Sequence, residues 1–264
     1  VSAVADFAPE WLALREPADA EARADALLPP LLDRLAGVDR PVVRDLGCGT
    51  GSMVRWLAGR LPGPVRWVLH DRDPRLLALA AADLAADLGE VETRVGDLAG
   101  LGAAELEGTA LVVASALLDL FTFEEMDALA AACVEAGCPA LFALSVTGRV
   151  ELDPADPLDG EYEAAFNAHQ RRDGLLGPDA VAAAEEAFAR RGARVLRAAS
   201  PWRLDGRPAL TAEWLRGWVG AAVEQRPDLA DLGYLRRRLD ACAAGGLRAV
   251  VHHTDLLALP GEGR

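Results

Sequence analysis

The chain has 264 residues, a formal net charge of −14 and no lysine, all 27 of its basic residues being arginine. That acidity excludes a long nucleic-acid track, which needs a basic stripe, and leaves room only for a local arginine patch. No uncharged apolar run approaches the ~18 residues that a membrane span requires.

Apolar residues make up 52% of the chain, enough for a sizeable core, and the length suits one α/β domain with elaborations. The opening residues carry Asp6 and Glu10 and lack a basic n-region, so no signal peptide is expected and the expected compartment is the cytoplasm. Cys48, Cys133, Cys138 and Cys242 have no metal-like spacing; they are expected to be reduced, and no metal is expected. The missing lysine also excludes any mechanism built on a catalytic lysine.

Taken in order, residues 8–36 read as two helices. Trp11, Leu12 and Leu14 mark the first; the second carries Leu27, Leu28, Leu31, Leu32 and Leu35 and is expected to break or kink at Pro29-Pro30. Pro41 to Leu46 is an apolar strand. It runs into Asp45-Leu46-Gly47-Cys48-Gly49-Thr50-Gly51 and then a helix from Ser52 to Arg60. Glycine at every second position lets the backbone take φ > 0 and lets a ligand approach main-chain N–H groups. A tight turn without a ligand is the alternative, and the acid before three spaced glycines disfavours it. A dinucleotide fingerprint needs glycine at its first, third and sixth positions; here these are Gly47, Gly49 and Ser52, so the last is missing.

A second strand, Val65 to Leu69, ends in His70-Asp71. Asp71 falls at the offset past the glycine turn where a ribose-binding acid stands in a βαβ nucleotide unit, and one carboxylate can accept from two hydroxyls. Asp73 before Pro74 fits a helix cap better. The next helix places Leu77, Ala80, Leu84 and Leu88 on one face and is expected to stop at Gly89. Val91 to Val95 and Ala110 to Ser115 are the third and fourth strands. Thr122-Phe123-Glu124-Glu125 is a capping box opening a helix with Phe123, Met126, Leu129 and Cys133 on one face. Ala140 to Val146 is a fifth strand. This alternation argues a doubly wound parallel sheet.

After Val146 the rhythm changes. Residues 153–160 form an acidic turn segment, Glu161 to Arg172 a short helix, and Gly177-Pro178 opens another helix that Gly192 ends. Arg194 to Ala199 is a sixth strand. Residues 205–246 insert two amphipathic helices, one aligning Trp214, Leu215, Trp218, Val219 and Ala222, the other Leu229, Leu232, Leu235, Leu239 and Cys242. Leu247 to Leu259 is the last strand, and the tail after Pro260 is expected to fray.

Asp-x-Gly-x-Gly-x-Gly resembles motif I of the class I S-adenosylmethionine-dependent methyltransferases, and Asp45 to Gly51 match it at every position. The resemblance implies S-adenosylmethionine as cofactor, with the turn backing its methionine moiety and Asp45 near the ammonium group, directly or through water. Asp71 matches the family's strand-two acid. Gly96-Asp97-Leu98 resembles a third motif, in which the acid accepts from the adenine amino group and the apolar residue packs on the ring; a solvated loop acid is the alternative for Asp97. Cys48, Thr50, Arg72 and Ser115 complete the expected cofactor set. The implied fold is α/β: a doubly wound, Rossmann-like, mostly parallel seven-stranded sheet with an antiparallel last strand and helical lid insertions. One domain is expected, with N-terminal helices at 1–40, the cofactor core at 41–146, lid segments at 147–177 and 205–246, and the last strand at 247–259.

Ligands bind at the carboxyl ends of parallel strands. Three connections emerge there: Ala116 to Thr122, Thr147 to Gly177, and the insertion before the last strand. His169 is the expected general base, with Asp119, Asn167, Arg171, Arg172, Trp202 and His252 as expected substrate contacts. Arg171 or Arg172 could clamp an acceptor carboxylate or phosphate. A solvated helix face is the alternative for the first group of these, a hydrogen-bonded buried histidine for His252 and His253, and core filling for Trp202, Trp214 and Trp218. The Asn/Asp-Pro-Pro-Tyr/Phe of amino-directed nucleic-acid enzymes is absent after the fourth strand, where Ser115-Ala116-Leu117-Leu118 stands, and no Pro-Cys nucleophile occurs. A small-molecule acceptor methylated at O, N or C is therefore expected, with no nucleic-acid or membrane partner, in a monomer or homodimer. The competing readings are a cofactor-binding regulator or scaffold without methyl transfer and, less favoured, a nicotinamide-dependent dehydrogenase.

Overall fold

The computed structural model of the chain describes residues 8–88, 91–98, 101–230 and 233–261. Asp6, Gly89, Leu232 and the last three residues of the tail, named above, lie outside the described residues.

The sheet is built outward from β1 (Val42–Leu46), which pairs in parallel with β2 (Arg66–Asp71) and β4 (Leu111–Ser115). β3 (Glu92–Val95) extends one side in parallel, and β5 (Ala140–Asp153) pairs in parallel with β4 on the other. β8 (Arg248–Leu259) runs antiparallel between β5 and β6 (Arg194–Ala199), giving the order β3-β2-β1-β4-β5-β8-β6. An eighth, two-residue strand, β7 (Trp202–Arg203), pairs with β8 and was not legible as a separate strand. The four consecutive buried residues of β4, Leu111 to Ala114, are what a central strand covered on both faces requires.

One face carries α1 (Pro9–Ala22), α2 (Leu28–Leu35), α3 (Ser52–Ala58) and α4 (Pro74–Leu88), packed through Leu31, Met53, Leu57, Leu77 and Leu84. The other carries α5 (Phe123–Glu135) and α7 (Ala180–Ala189), packed through Met126, Cys133, Ala184 and Phe188. The capping box of α5 is formed: Thr122 Oγ1 accepts from Glu125 N–H at 3.2 Å, and Glu125 Oε2 accepts from Thr122 N–H at 2.8 Å. Asp73 caps α4, accepting from Arg75 N–H at 2.8 Å.

Pro29 and Pro30 do not break a helix. They stand in the first turn of α2, where the missing N–H groups would have had no intrahelical partner. β5 also departs from expectation, running on past Val146 to Asp153 against β8. Two bulges make this possible. At the first, Leu144 takes φ +56° and its N–H donates to the buried carboxylate of Asp255 at 2.7 Å; at the second, Gly148 takes φ +75°. The strand is expected to end at Val146 because the glycine that a bulge uses interrupts the apolar run in sequence.

A separate helical layer stands over that extension: α6 (Asp159–Gln170), α8 (Pro208–Gln225) and α9 (Tyr234–Ala243). Tyr162 stacks on Tyr234 with ring centroids 4.0 Å apart, and its hydroxyl donates to Leu229 O at 2.6 Å. The buried Arg238 donates to Pro154 O at 2.6 Å and pairs with Asp159.

Candidate active site

The strand-to-helix turn after β1 holds Gly47, Gly49 and Gly51 at φ +63°, +54° and +88°. Positive φ requires glycine here, and a Cβ would also press on side-chain ends, coming 2.9 Å from Leu117 Cδ1 at Gly47 and 3.0 Å from Leu84 Cδ1 at Gly51. Asp71, at the end of β2, braces the turn: its Oδ2 accepts from Gly49 N–H at 2.8 Å and its Oδ1 from Asp73 N–H at 2.9 Å.

A cavity of about 260 Å³ opens at this turn, at the carboxyl ends of β1, β2 and β4. Asp45, Gly47, Cys48, Gly49, Thr50, Asp71, Arg72, Asp97, Leu98 and Ser115 all line it; Gly51 does not, being turned toward α4. Helix α1 closes the cavity with Leu12, Arg15 and Asp19. These three were missed in sequence, because an Arg–Asp pair at i,i+4 reads as an exposed surface pair. Here Arg15 Nε donates to Asp19 Oδ2 at 3.0 Å, and Asp19 is buried. Glu16 on the same helix accepts from both Nε and Nη2 of Arg55 at 2.6 Å, fixing α1 to α3.

Asp45 is the unusual group. It is 0% exposed, and among the described residues neither carboxylate oxygen has a hydrogen-bond partner. Burial pushes its pKa up to about 8, against the pull of Arg23, with Asp71 adding a smaller push. Arg23 is itself buried, and its Nη2 donates to Ser52 Oγ at 3.0 Å and Ser115 Oγ at 3.1 Å, not to Asp45. Burial lowers the pKa of Arg23, and Asp19, Asp45 and Asp255 oppose that shift. Burial likewise raises the Cys48 thiol, so Cys48 is a small filler of the turn and not a thiolate.

A second cavity, of about 930 Å³, adjoins the first; Arg15, Ala116 and Leu120 line both. It is enclosed by the connection after β4, the bulged part of β5, helices α6 and α8, and the start of β8. Asp119, His169, Arg172, Trp202 and His252 line it, as do Trp214, Trp218 and His253. Asn167 and Arg171 line neither cavity. Asn167 Nδ2 donates to Gly148 O at 2.8 Å and steadies the second bulge, and Arg171 forks onto Asp179 at 2.6 and 2.9 Å on the surface.

His169 is engaged on both ring nitrogens: Nδ1 lies 2.9 Å from Gln170 Oε1, Nε2 lies 3.0 Å from Glu224 Oε2, and Arg172 also meets Nε2. His252 Nε2 lies 3.0 Å from Glu151 Oε1. His253 is buried and among the described residues its Nδ1 has no partner; burial, with Arg15 nearby, pushes its pKa down to about 3, so it is neutral. Trp202 is buried at the base of the cavity, donating to Asp19 Oδ1 at 2.9 Å, with the Arg15 guanidinium 4.9 Å from its ring centroid. Burial also raises the pKa of Asp119. Among the described residues no group of three or more His, Cys, Asp or Glu could hold a metal ion, and no helix is long and apolar enough to cross a membrane.

Comparison with known proteins bears on this arrangement. Residues 43–138 match a family described as a methyltransferase domain. No curated protein sequence matches the chain. Among solved structures, the YcgJ protein from Bacillus subtilis is 10% identical, with 91% of this chain and 100% of that chain covered and a TM-score of 0.51. The cyclopropane synthase MmaA2 from Mycobacterium tuberculosis is 15% identical, with 88% and 83% covered and a TM-score of 0.47. A geranyl diphosphate C-methyltransferase from Streptomyces coelicolor is 13% identical, with 89% and 77% covered and a TM-score of 0.43. The likeness to YcgJ is one of fold alone; the family match covers the turn, β2 and β4 that build the first cavity. The first cavity is thus built by the part of the chain that is similar to a methyltransferase domain.

Proposed function

We propose that the protein moves a methyl group from S-adenosylmethionine to a small-molecule acceptor held in the larger cavity. The observation that carries this reading is Asp45: a fully buried carboxylate with two unpartnered oxygens, on the wall of a glycine-built cavity. A buried carboxylate without partners is costly, and a ligand ammonium group beside it relieves that cost. A pyrophosphate there would be repelled. That point, and Ser52 in place of a third glycine, weigh against the nicotinamide reading.

The chain's residues fit the cofactor. Asp45 would hold the ammonium group, and the turn from Gly47 to Gly49 would back the amino-acid moiety. Each oxygen of Asp71 accepts one backbone N–H and keeps a further lone pair for a ribose hydroxyl. Asp97 and Leu98 would meet the adenine. When bound, the cofactor supplies a methyl group already activated by its sulfonium charge. The protein's work is then to align the acceptor for in-line transfer and to exclude water. Leu12, Arg15 and Asp19 cover the first cavity from solvent, and Ala116 and Leu120 form the wall shared with the second. His169 stands in the second cavity with both ring nitrogens engaged, which suits a group that shapes the acceptor site.

A small-molecule acceptor is supported by the size of the second cavity, by the acidity of the chain and by the absence of an amino-directed nucleic-acid motif. Titration calorimetry with S-adenosylmethionine, S-adenosylhomocysteine and NAD(H), together with methylation of a metabolite pool by labelled S-adenosylmethionine, tests the reading. Binding of the first two and labelling of a small molecule are expected. Binding without labelling would favour a scaffold, and binding of NAD(H) alone would overturn the assignment.

A further inference from the structure

We infer that the acceptor is a bulky apolar or aromatic amine, whose ammonium group is met by Asp119 in the larger cavity. The inference rests on the methyltransferase reading above and specifies its substrate.

The charges of the cavity argue for it. Arg15 is forked onto Asp19, Arg149 pairs with Glu151 at 2.5 Å, Arg216 with Glu213 at 3.1 Å, and Arg172 stands 3.6 Å from Glu224. Every lining arginine thus already has a carboxylate, so the cavity offers an anionic acceptor no spare cation. Asp119 is the reverse case. Among the described residues no side chain donates to its carboxylate, and Arg15, which lines the same cavity, is already held by Asp19. A partly buried carboxylate of this kind calls for a donor, and an ammonium group supplies both donor and charge.

Its surroundings select for bulk. Trp214, half-buried, stacks on Trp218 with ring centroids 5.4 Å apart, and Phe166 lies 6.4 Å from Trp218. All three line the cavity, and neither Trp214 nor Phe166 has a guanidinium over its ring among the described residues. By contrast Trp11 and Trp202 already carry Arg15. Bare tryptophan and phenylalanine rings favour an apolar body and tolerate a nearby cation. Among the described residues the buried Trp218 Nε1–H has no partner, which leaves one donor for a ligand acceptor atom.

Asp119 also sits beside Leu120 and close to Ala116, the residues common to both cavities, so an amine on Asp119 is next to the wall across which transfer occurs. The step balances. The Asp119 carboxylate takes one proton from the ammonium group. The freed nitrogen lone pair forms the N–C bond as the C–S bond breaks, and sulfur leaves with that electron pair as a neutral thioether. The product is the methylated ammonium, and the proton on Asp119 passes to solvent.

The test is calorimetric and needs no turnover. 1-Naphthylmethylamine and its isostere 1-naphthalenemethanol are titrated into the wild-type protein and into Asp119→Asn. The amine is expected to bind wild type at least tenfold more tightly than the alcohol, and Asp119→Asn to abolish that preference while leaving alcohol affinity and S-adenosylmethionine affinity unchanged. An alcohol that binds as well as the amine, binding of neither probe at millimolar concentration, or an amine preference that survives Asp119→Asn would each overturn the inference. Trp214→Leu provides a second check: it should weaken both probes alike, and an unchanged affinity for both would place them outside this cavity and overturn the inference too. A wild-type protein that binds S-adenosylmethionine but shows no amine preference defeats this inference alone, whereas a wild-type protein that does not bind S-adenosylmethionine defeats the methyltransferase reading.

Discussion

Asp71 Oδ2 accepts the backbone N–H of Gly49 at 2.8 Å, so the acid at the end of β2 holds the glycine turn after β1 in shape. One carboxylate therefore does two jobs, fixing the turn and presenting its remaining lone pairs to the cavity. The offset between glycine turn and acid, readable in the sequence, has a structural consequence in that hydrogen bond.

Asp71→Ala removes acceptors from Gly49 N–H and Asp73 N–H and, in the proposed complex, from two ribose hydroxyls. Affinity for S-adenosylmethionine should fall by about 1–3 kcal/mol, the usual range for buried polar groups left unpaired. The fall should be the same for S-adenosylhomocysteine, since both share the ribose. Unequal losses, measured by calorimetry, would remove Asp71 from the ribose site.

Gly49→Val places a branched side chain at φ +54°, with its Cβ 3.2 Å from Leu12 Cδ1 of α1. The backbone strain alone costs about 1–2 kcal/mol. We expect a lower melting temperature and no detectable cofactor binding. A folded Gly49→Val protein with wild-type affinity would contradict the role given to the turn.

The raised pKa of Asp45 has a definite sign. The folded protein holds this proton more tightly than the unfolded chain does, so ligand-free stability falls as pH rises from the ordinary carboxylate range, near ~4, to about 8, and is flat above that. An ammonium group beside Asp45 favours the charged form and expels the proton. Near neutral pH, the heat of cofactor binding should therefore change with the ionisation enthalpy of the buffer, in proportion to nearly one released proton. The buffer dependence should vanish in Asp45→Asn. A buffer-independent heat in wild type would show that Asp45 does not meet the ammonium.

The first half of the chain was largely legible because its signals are local. Strand periodicity, the spacing of Gly47, Gly49 and Gly51, the capping box at Thr122 and the cap at Asp73 each follow from a few neighbouring residues. The second cavity was legible only in outline. His169, Arg172 and His252 were expected there and line it, but Asn167 on the same helix turns to the Gly148 bulge, and Arg171 turns to Asp179. A helix sequence does not say which way each polar residue faces when its neighbours are a bulged strand and a second helix distant in sequence. Arg15, Asp19 and Arg23 were invisible for the same reason: their burial comes from α1 and the segment after it packing over the carboxyl ends of β1 and β4, a tertiary event.

His169 tests that distinction. Its ring nitrogens are bound to Gln170 and Glu224, so His169→Gln, which keeps hydrogen-bonding capacity, should retain more methyl transfer than His169→Ala. Cofactor affinity should be near wild type in both. Equal loss of turnover in the two variants would point to proton transfer by the imidazole itself.

The central claim is that Asp45 and Asp71 hold different parts of one cofactor, and the most direct measurement compares three ligands. S-adenosylmethionine and S-adenosylhomocysteine carry the amino-acid group; 5′-methylthioadenosine keeps the ribose and adenine but lacks it. By titration calorimetry, Asp45→Asn should weaken the first two at least tenfold and leave 5′-methylthioadenosine unchanged, while Asp71→Ala should weaken all three alike. If Asp45→Asn weakens 5′-methylthioadenosine as much as the others, or if no variant changes any of them, the cavity does not hold the cofactor in the way described.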